Sequence, residues 1–297
     1  MEYANHLKEY ASAMSEAQVA EEVDRIRKAA VRNHTPEVYK LCYSAVDLTT
    51  LSCTDSVESV TEFAGKAVKF YQQFPHLPNV ASICIYPPFV ETVGVVVDGT
   101  DMRITSVAGG FPSSQTFLEV KVLEVAMAVE NGADEIDIVL NVGKMLEGHY
   151  DEVANEVEVI RTEMSPEVVL KGHYRVRSFE NSRSDPQGIV AFDVRRGRFR
   201  QDFDRKIDVS ATPEAAVVMC QAIRDYYRKT GRKVGFKRPA VSGVPKMPLC
   251  IIRSSRRFWA RSGLRPNCSV SELRRRPIIC LRLSKAGKSS FLIRMGG

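Results

Sequence analysis

Glu135-Ile136-Asp137-Ile138-Val139-Leu140 is the stretch on which the fold turns. It is apolar, rich in isoleucine and too short for a helix of ordinary length, so it reads as a buried strand. A carboxylate between two isoleucines is costly there unless it is hydrogen-bonded, paired or used in chemistry. Amphipathic stretches flank it, Thr116 to Asn131 before and Tyr150 to Thr162 after. The local unit is therefore helix, strand, helix.

The same unit recurs outward in both directions. Ser15 to Ala30 has a helical pattern, with Ser15 as the expected cap and Val19, Val23 and Ile26 on one face. Thr54 to Phe74 follows, opening with Asp55. Val80 to Tyr86 and Met102 to Val107 are short apolar runs, closed by Pro87-Pro88 and Gly109-Gly110. A further strand starts at Glu167 to Leu170, a helix opens at Thr212-Pro213 and runs to about Arg228, and Lys233 to Lys237 is another strand. Strands and helices that alternate in this way predict a parallel sheet covered by helices. The candidates are a (β/α)8 barrel and an open doubly wound sheet. The absence of GxGxxG after the first strand weakens a dinucleotide fold. Asp47, Asp137 and Lys237, in or at the ends of strands, suit a barrel with its chemistry at the carboxyl ends.

Charge divides the chain. The 297 residues carry a net +6, but residues 1–171 hold 13 Lys+Arg against 27 Asp+Glu, and residues 238–297 hold 14 basic residues against Glu272 alone. An acidic body thus bears a basic tail. Two segments break the strand–helix rhythm: 172–205, which has Arg without Lys, and 238–297, rich in Arg and Ser. No run approaches the roughly 18 apolar residues of a membrane helix. No basic region followed by an apolar run opens the chain, so no secretory signal is expected. Seven scattered cysteines without a CxxC pair argue against a disulfide framework or a zinc site and for a cytoplasmic setting.

Several residues could carry chemistry. Asp137 is either a satisfied structural carboxylate or a functional one. Lys237 is either a solvated strand end or an amine tuned for catalysis, and Asp47 is equally open. Gly109-Gly110 fits a tight turn better than a phosphate cradle. Cys84 reads as a core thiol. His6, His34, His76, His149 and His173 lie at no metal-ligand spacing. Lys285-Ala-Gly-Lys-Ser-Ser290 lacks the first glycine of a phosphate loop. The tail's arginines, with Phe258 and Trp259 among them, allow a nucleic-acid reading, but charge alone supports only non-specific attraction.

Asp47-Leu-Thr-Thr-Leu51, Ser82-Ile-Cys-Ile-Tyr-Pro87, Ser106-Val-Ala-Gly-Gly-Phe-Pro112, Gly132-Ala-Asp-Glu-Ile-Asp-Ile-Val139, Ala211-Thr-Pro-Glu-Ala215 and Gly231 to Lys237 together resemble the deoxyribose-phosphate aldolases. The resemblance covers residues 38–171 and 206–237. It implies a (β/α)8 barrel and a class I aldolase that needs neither metal nor cofactor. The implied reaction reversibly joins acetaldehyde to glyceraldehyde 3-phosphate, giving 2-deoxyribose 5-phosphate, in deoxyribonucleoside catabolism. A lysine forms a Schiff base that acts as electron sink; an aspartate and a second lysine handle protons and depress the nucleophile's pKa. By motif these are Asp137 and Lys237, with Asp47 and Lys171 in the supporting polar network and Lys206 at the substrate phosphate. The implied partners are a sugar phosphate, aldehydes and a second copy of the chain. The domain division expected is 1–36 as a helical extension, 37–237 as the barrel and 238–297 as an aberrant tail.

Departures from the family pattern are specific. The Schiff-base lysine opens Lys-Thr-Ser-Thr-Gly-Lys, which aligned on Lys206 should fill 201–206; here 201–205 read Gln-Asp-Phe-Asp-Arg. Those five can be encoded by CAA GAC TTC GAC AGG, and one base later that string spells Lys-Thr-Ser-Thr-Gly. After Lys237 the family continues Pro-Ala-Gly-Gly-Ile; AAG CCG GCC GGC GGT ATC less one C gives Lys-Arg-Pro-Ala-Val-Ser, which is Lys237 to Ser242 here. Frame changes near 171, 205 and 237 are inferred, since they would account for both. The chain as written is then expected to lack the imine lysine, to have coil in place of the sixth and eighth strands with open sheet edges, to be inactive and to be poorly soluble.

Overall fold

The structure is a computed structural model that describes residues 14–174, 198–201, 213–230, 236–237 and 281–284. Helix α1 (Glu16–Ala30) starts where expected: the Ser15 hydroxyl accepts from the Gln18 amide, and the Gln18 side chain caps Ser15 in return. Helix α2 (Pro36–Ser44) has Thr35 as its cap and proline at its first position. Strand β1 (Val46–Thr49) follows, then α3 (Val57–Gln73), capped by Ser56 rather than Asp55. Asp55 instead closes the loop after β1, accepting from the Thr50 hydroxyl at 2.8 Å and the Ser52 amide at 2.9 Å.

The alternation continues with β2 (Ser82–Ile85), α4 (Val90–Val97), β3 (Arg103–Val107), α5 (Leu118–Glu130), β4 (Glu135–Val139), a short α6 (Val142–Leu146), α7 (Tyr150–Thr162) and β5 (Val169–Tyr174). Strand β6 (Arg198–Gln201), α8 (Pro213–Thr230), β7 (Phe236–Lys237) and β8 (Leu281–Ser284) complete the described elements. All ladders are parallel, in the order β7-β6-β5-β4-β3-β2-β1-β8. The sheet curls: Lys171 on β5 reaches Asp47 on β1, 124 residues away, at 3.2 Å. Strands four apart in a flat sheet would stand almost 20 Å from each other at the usual spacing of about 4.8 Å. The eight parallel strands with their helices form a (β/α)8 barrel.

Two expectations are corrected here. The segments 172–205 and 238–297 are not coil throughout: β5 runs on to Tyr174, and β6 and β8 come from within those segments. Parallel pairing uses backbone groups alone, so the N–H and C=O groups along β5 and β1 accept a four-residue partner whatever its side chains. Strands β6 and β8 thereby fill the sixth and eighth positions, while among the described residues no ladder joins β7 to β8, so these two strands end the sheet.

Side chains alternate across each strand. Ile83, Ile85, Ile104, Ile136, Ile138 and Leu170 point outward. They form one apolar layer with Val60 and Ala64 of α3, Val93 of α4, Val125 and Ala128 of α5, and Val153, Val157 and Ile160 of α7. Each such buried aliphatic side chain contributes about 1.5–3 kcal/mol. A second cluster joins Val19, Val23, Ile26 and Ala30 of α1 to Val38 of α2 and Val217 of α8. The opposite faces of the strands, which meet inside the barrel, are mostly polar, with Val107 and Val139 among them.

Candidate active site

Inside the barrel, Asp47, Ser82, Thr105, Glu135, Asp137, Lys171 and His173 are all buried. They come from β1 to β5, one or two per strand, on the face turned away from the helices. Lys171 is the hub. Its three N–H bonds go to Glu135 Oε2 at 2.7 Å, Thr105 Oγ1 at 3.1 Å and Asp47 Oδ2 at 3.2 Å. Asp137 Oδ1 stands 2.9 Å from the same nitrogen as an ion pair. An ammonium has three donors, so the hydrogen-bonding capacity of Lys171 is fully used by its neighbours.

Asp137 lies between two cationic or hydrogen-bonding groups. Lys171 holds one oxygen, and His173 Nε2 approaches the other at 3.2 Å. The Cys84 sulfur lies 3.9 Å from that second oxygen. This pairing resolves the cost of the carboxylate between Ile136 and Ile138: it faces the polar interior while its neighbours face the helices. Below it, Arg103 Nη1 contacts Glu135 Oε1 at 3.2 Å, and Thr105 Oγ1 is 2.8 Å from Ser82 Oγ. A continuous polar path thus runs from Arg103 through Glu135 and Lys171 to Asp137 and His173.

Of the residues expected from the sequence, Asp47, Asp137 and Lys171 come together. Lys237 ends β7 in register with Arg200, and Gln201 ends β6 opposite Tyr174, so both lie at carboxyl ends of barrel strands. Lys206 is outside the described residues. Gly109 and Gly110 make the tight turn, at φ 73 and 71. The Gly110 amide donates to Glu124 at 2.9 Å and is already engaged. Glu135, Thr105, Ser82, Arg103 and His173 were not singled out as site residues. The signal for them is parity: each sits an even number of positions from another polar residue on its strand, as in Glu135/Asp137 and Lys171/His173. Among the described residues no group of three His, Cys, Asp or Glu side chains could hold a metal, and no helix is long and apolar enough to cross a membrane.

A barrel whose interior joins a lysine to buried carboxylates is suited to acid–base chemistry near the carboxyl ends of its strands. Relatives specify it. A Caenorhabditis elegans protein assigned as a deoxyribose-phosphate aldolase is 30% identical over 226 residues, which are 74% of this chain and 73% of the relative. The human deoxyribose-phosphate aldolase is 31% identical over 202 residues, 65% of this chain and 63% of its own length. The chain therefore spans a little under two thirds of the mammalian protein. In fold it is similar to the tetrameric deoxyribose phosphate aldolase of Aeropyrum pernix, with TM-score 0.56, 18% identity and coverage of 76% and 88%. No family model matches the chain. The chain belongs to the deoxyribose-phosphate aldolase family, the class I aldolases that act on a sugar phosphate. The relatives favour this over a nucleic-acid-binding protein.

Proposed function

We propose that this chain carries the acid–base half of a deoxyribose-phosphate aldolase and lacks its nucleophile. The observation that carries the proposal is Asp137, buried between Lys171 and His173 on the inner face of β4. In the aldol reaction a lysine amine forms an imine with the aldehyde carbon. The imine draws electrons as the carbon–carbon bond forms or breaks, and a carboxylate shuttles the proton to and from the hydroxyl and imine nitrogen. Asp137 is the carboxylate for that task, held in place by Lys171 and His173. Asp47, Thr105 and Glu135 hold Lys171. Lys237 at the end of β7 is the second lysine, and Lys206 is the contact for the substrate phosphate.

The nucleophile belongs at the end of β6, where Gln201 stands. A carboxamide cannot form an imine. Lys171 does not substitute, because its N–H bonds are committed to Asp47, Thr105 and Glu135. Frame changes near residues 171, 205 and 237 account for the missing lysine, and the reading places the intact enzyme in cytoplasmic deoxyribonucleoside catabolism as an assembly of identical chains.

Borohydride reduction in the presence of acetaldehyde tests this directly. Mass spectrometry of the digested chain is expected to show no reduced ethyl adduct on a lysine of the barrel interior. An adduct on Lys171 or Lys237, with turnover of 2-deoxyribose 5-phosphate, overturns the proposal.

A further inference from the structure

The loop between β3 and α5 is pinned by a buried ion pair that the aldol chemistry does not use. Lys121, on α5, is 1% exposed. It donates to Glu156 Oε1 of α7 at 2.6 Å and to Ser114 Oγ of the loop at 2.8 Å. Ser114 is itself fully buried and holds a φ of 60, a conformation that disfavours any residue but glycine. Its amide donates to the Gly110 carbonyl at 2.9 Å. Gly110 is fixed in turn by Glu124 of α5, and a Cβ there would meet Thr116 Cγ2 at 2.7 Å. Between these two anchors lies Phe111, whose ring stands edge-on to His173 at 5.4 Å between centroids.

A buried ion pair is a poor way to hold two helices together, since apolar side chains of the same volume serve as well or better. Holding a backbone in an unfavourable conformation is a task that Lys121 can perform and a leucine cannot, because it requires a directed hydrogen bond to Ser114. We infer that Lys121 is a positioning residue for the acid–base carboxylate. Through Ser114 it sets the loop, through the loop it sets Phe111 against His173, and His173 contacts Asp137 at 3.2 Å. The Phe111 ring thereby bears on His173, and through it on Asp137, toward the end of the barrel where such enzymes bind their substrates. This inference rests on the reading of Asp137 as the proton carrier, but the geometry it asserts is measurable without turnover.

The experiment is proton NMR on the full chain with labelled aromatic and histidine side chains, in the unmodified protein and in Ser114→Ala and Lys121→Met. The unmodified chain is expected to show a cross-peak between the rings of Phe111 and His173. Ser114→Ala removes the hydroxyl that Lys121 holds and keeps the cost of a φ of 60, so the loop is expected to leave this conformation and the cross-peak to vanish. Lys121→Met is expected to lose it as well. Persistence of the cross-peak in folded Ser114→Ala overturns the inference, as does its absence from the unmodified chain. Should Lys121→Met fail to fold, Ser114→Ala decides alone. Failure of the aldolase reading would show instead in borohydride trapping and leave this cross-peak untouched.

Discussion

Lys171 concentrates the electrostatics of the barrel in one side chain. Removing its charge leaves Asp47, Glu135 and Asp137 facing one another in a buried interior. Breaking such a buried arrangement costs about 3–5 kcal/mol. Lys171→Met is therefore expected to lower the urea midpoint by that equivalent, and adding Glu135→Gln to recover part of it; equilibrium denaturation followed by circular dichroism measures both. Thiols give a second residue-level check. Burial pushes the thiols of Cys42 and Cys220 up to about 12, whereas Cys53 is exposed. Peptide mapping after limited alkylation at neutral pH should find Cys53 modified well before Cys42, Cys84 and Cys220. Because the folded thiols titrate above their unfolded value of 9.0, their contribution to stability is intact below that pH and falls away as pH rises toward 12. Asp137 stands out in sequence because a carboxylate inside an isoleucine run is costly unless paired or used, but its pattern alone leaves a structural and a functional role equally open. Glu135 and Arg103 do not stand out, because a charged residue at the first position of a strand looks like a solvated terminus. His173 was hidden differently, since it falls just past the point where the family pattern breaks off.

Among the elements, the strands look continuously apolar in sequence, and the alternation that builds the site shows only when inner and outer faces are separated, as in Glu135, Asp137 against Ile136, Ile138. Polar residues inside a barrel are buried as fully as apolar ones, so burial alone does not separate the inner face from the outer. Helix boundaries matched the apolar pattern at Ser15, where the capping box is present, and at Tyr150–Thr162, which has no side-chain cap, and shifted by one position at Asp55, where Ser56 is the cap. The packing of α1 was not foreseeable from its own pattern, which shows an apolar face without naming what covers it. That face lies on α8, where Val23 and Ile26 meet Val217 and Arg27 comes within 3.7 Å of Glu214. Helix α8 leads to β7 and Lys237, so α1 buttresses the far side of the site. Val23→Asp puts a carboxylate into that contact, and unpaired burial of such a group costs several kcal/mol. Hydrogen exchange read by mass spectrometry should show residues 213–230 losing protection while 118–130 keeps it. Equal loss in both helices would mean that α1 stabilises the barrel as a whole.

For the whole molecule, the charge division and the fold now describe the same boundary. The acidic residues 1–171 supply β1 to β5 up to the site lysine, and the ladder beyond it is filled by short strands from Arg-rich sequence. Backbone pairing explains how the ladder extends beyond β5 and β1, and side-chain chemistry is what such pairing does not supply: a strand of any sequence extends a ladder, but only a lysine at its end forms an imine. The two properties separate cleanly in a gene whose reading frame is kept through codons 171, 205 and 237. Lys-Thr-Ser-Thr-Gly then replaces Gln201 to Arg205, and Pro-Ala-Gly-Gly-Ile follows Lys237. The re-framed protein is expected to condense acetaldehyde with glyceraldehyde 3-phosphate and to yield a borohydride-stable adduct at the restored lysine. Its isoelectric point is expected to fall from about 8.9 into the acidic range, because the tail's excess of arginine disappears. An unbroken frame on resequencing, or a re-framed chain that stays basic and inert, would remove the frame explanation and leave Gln201 as the protein's own residue at the nucleophile position.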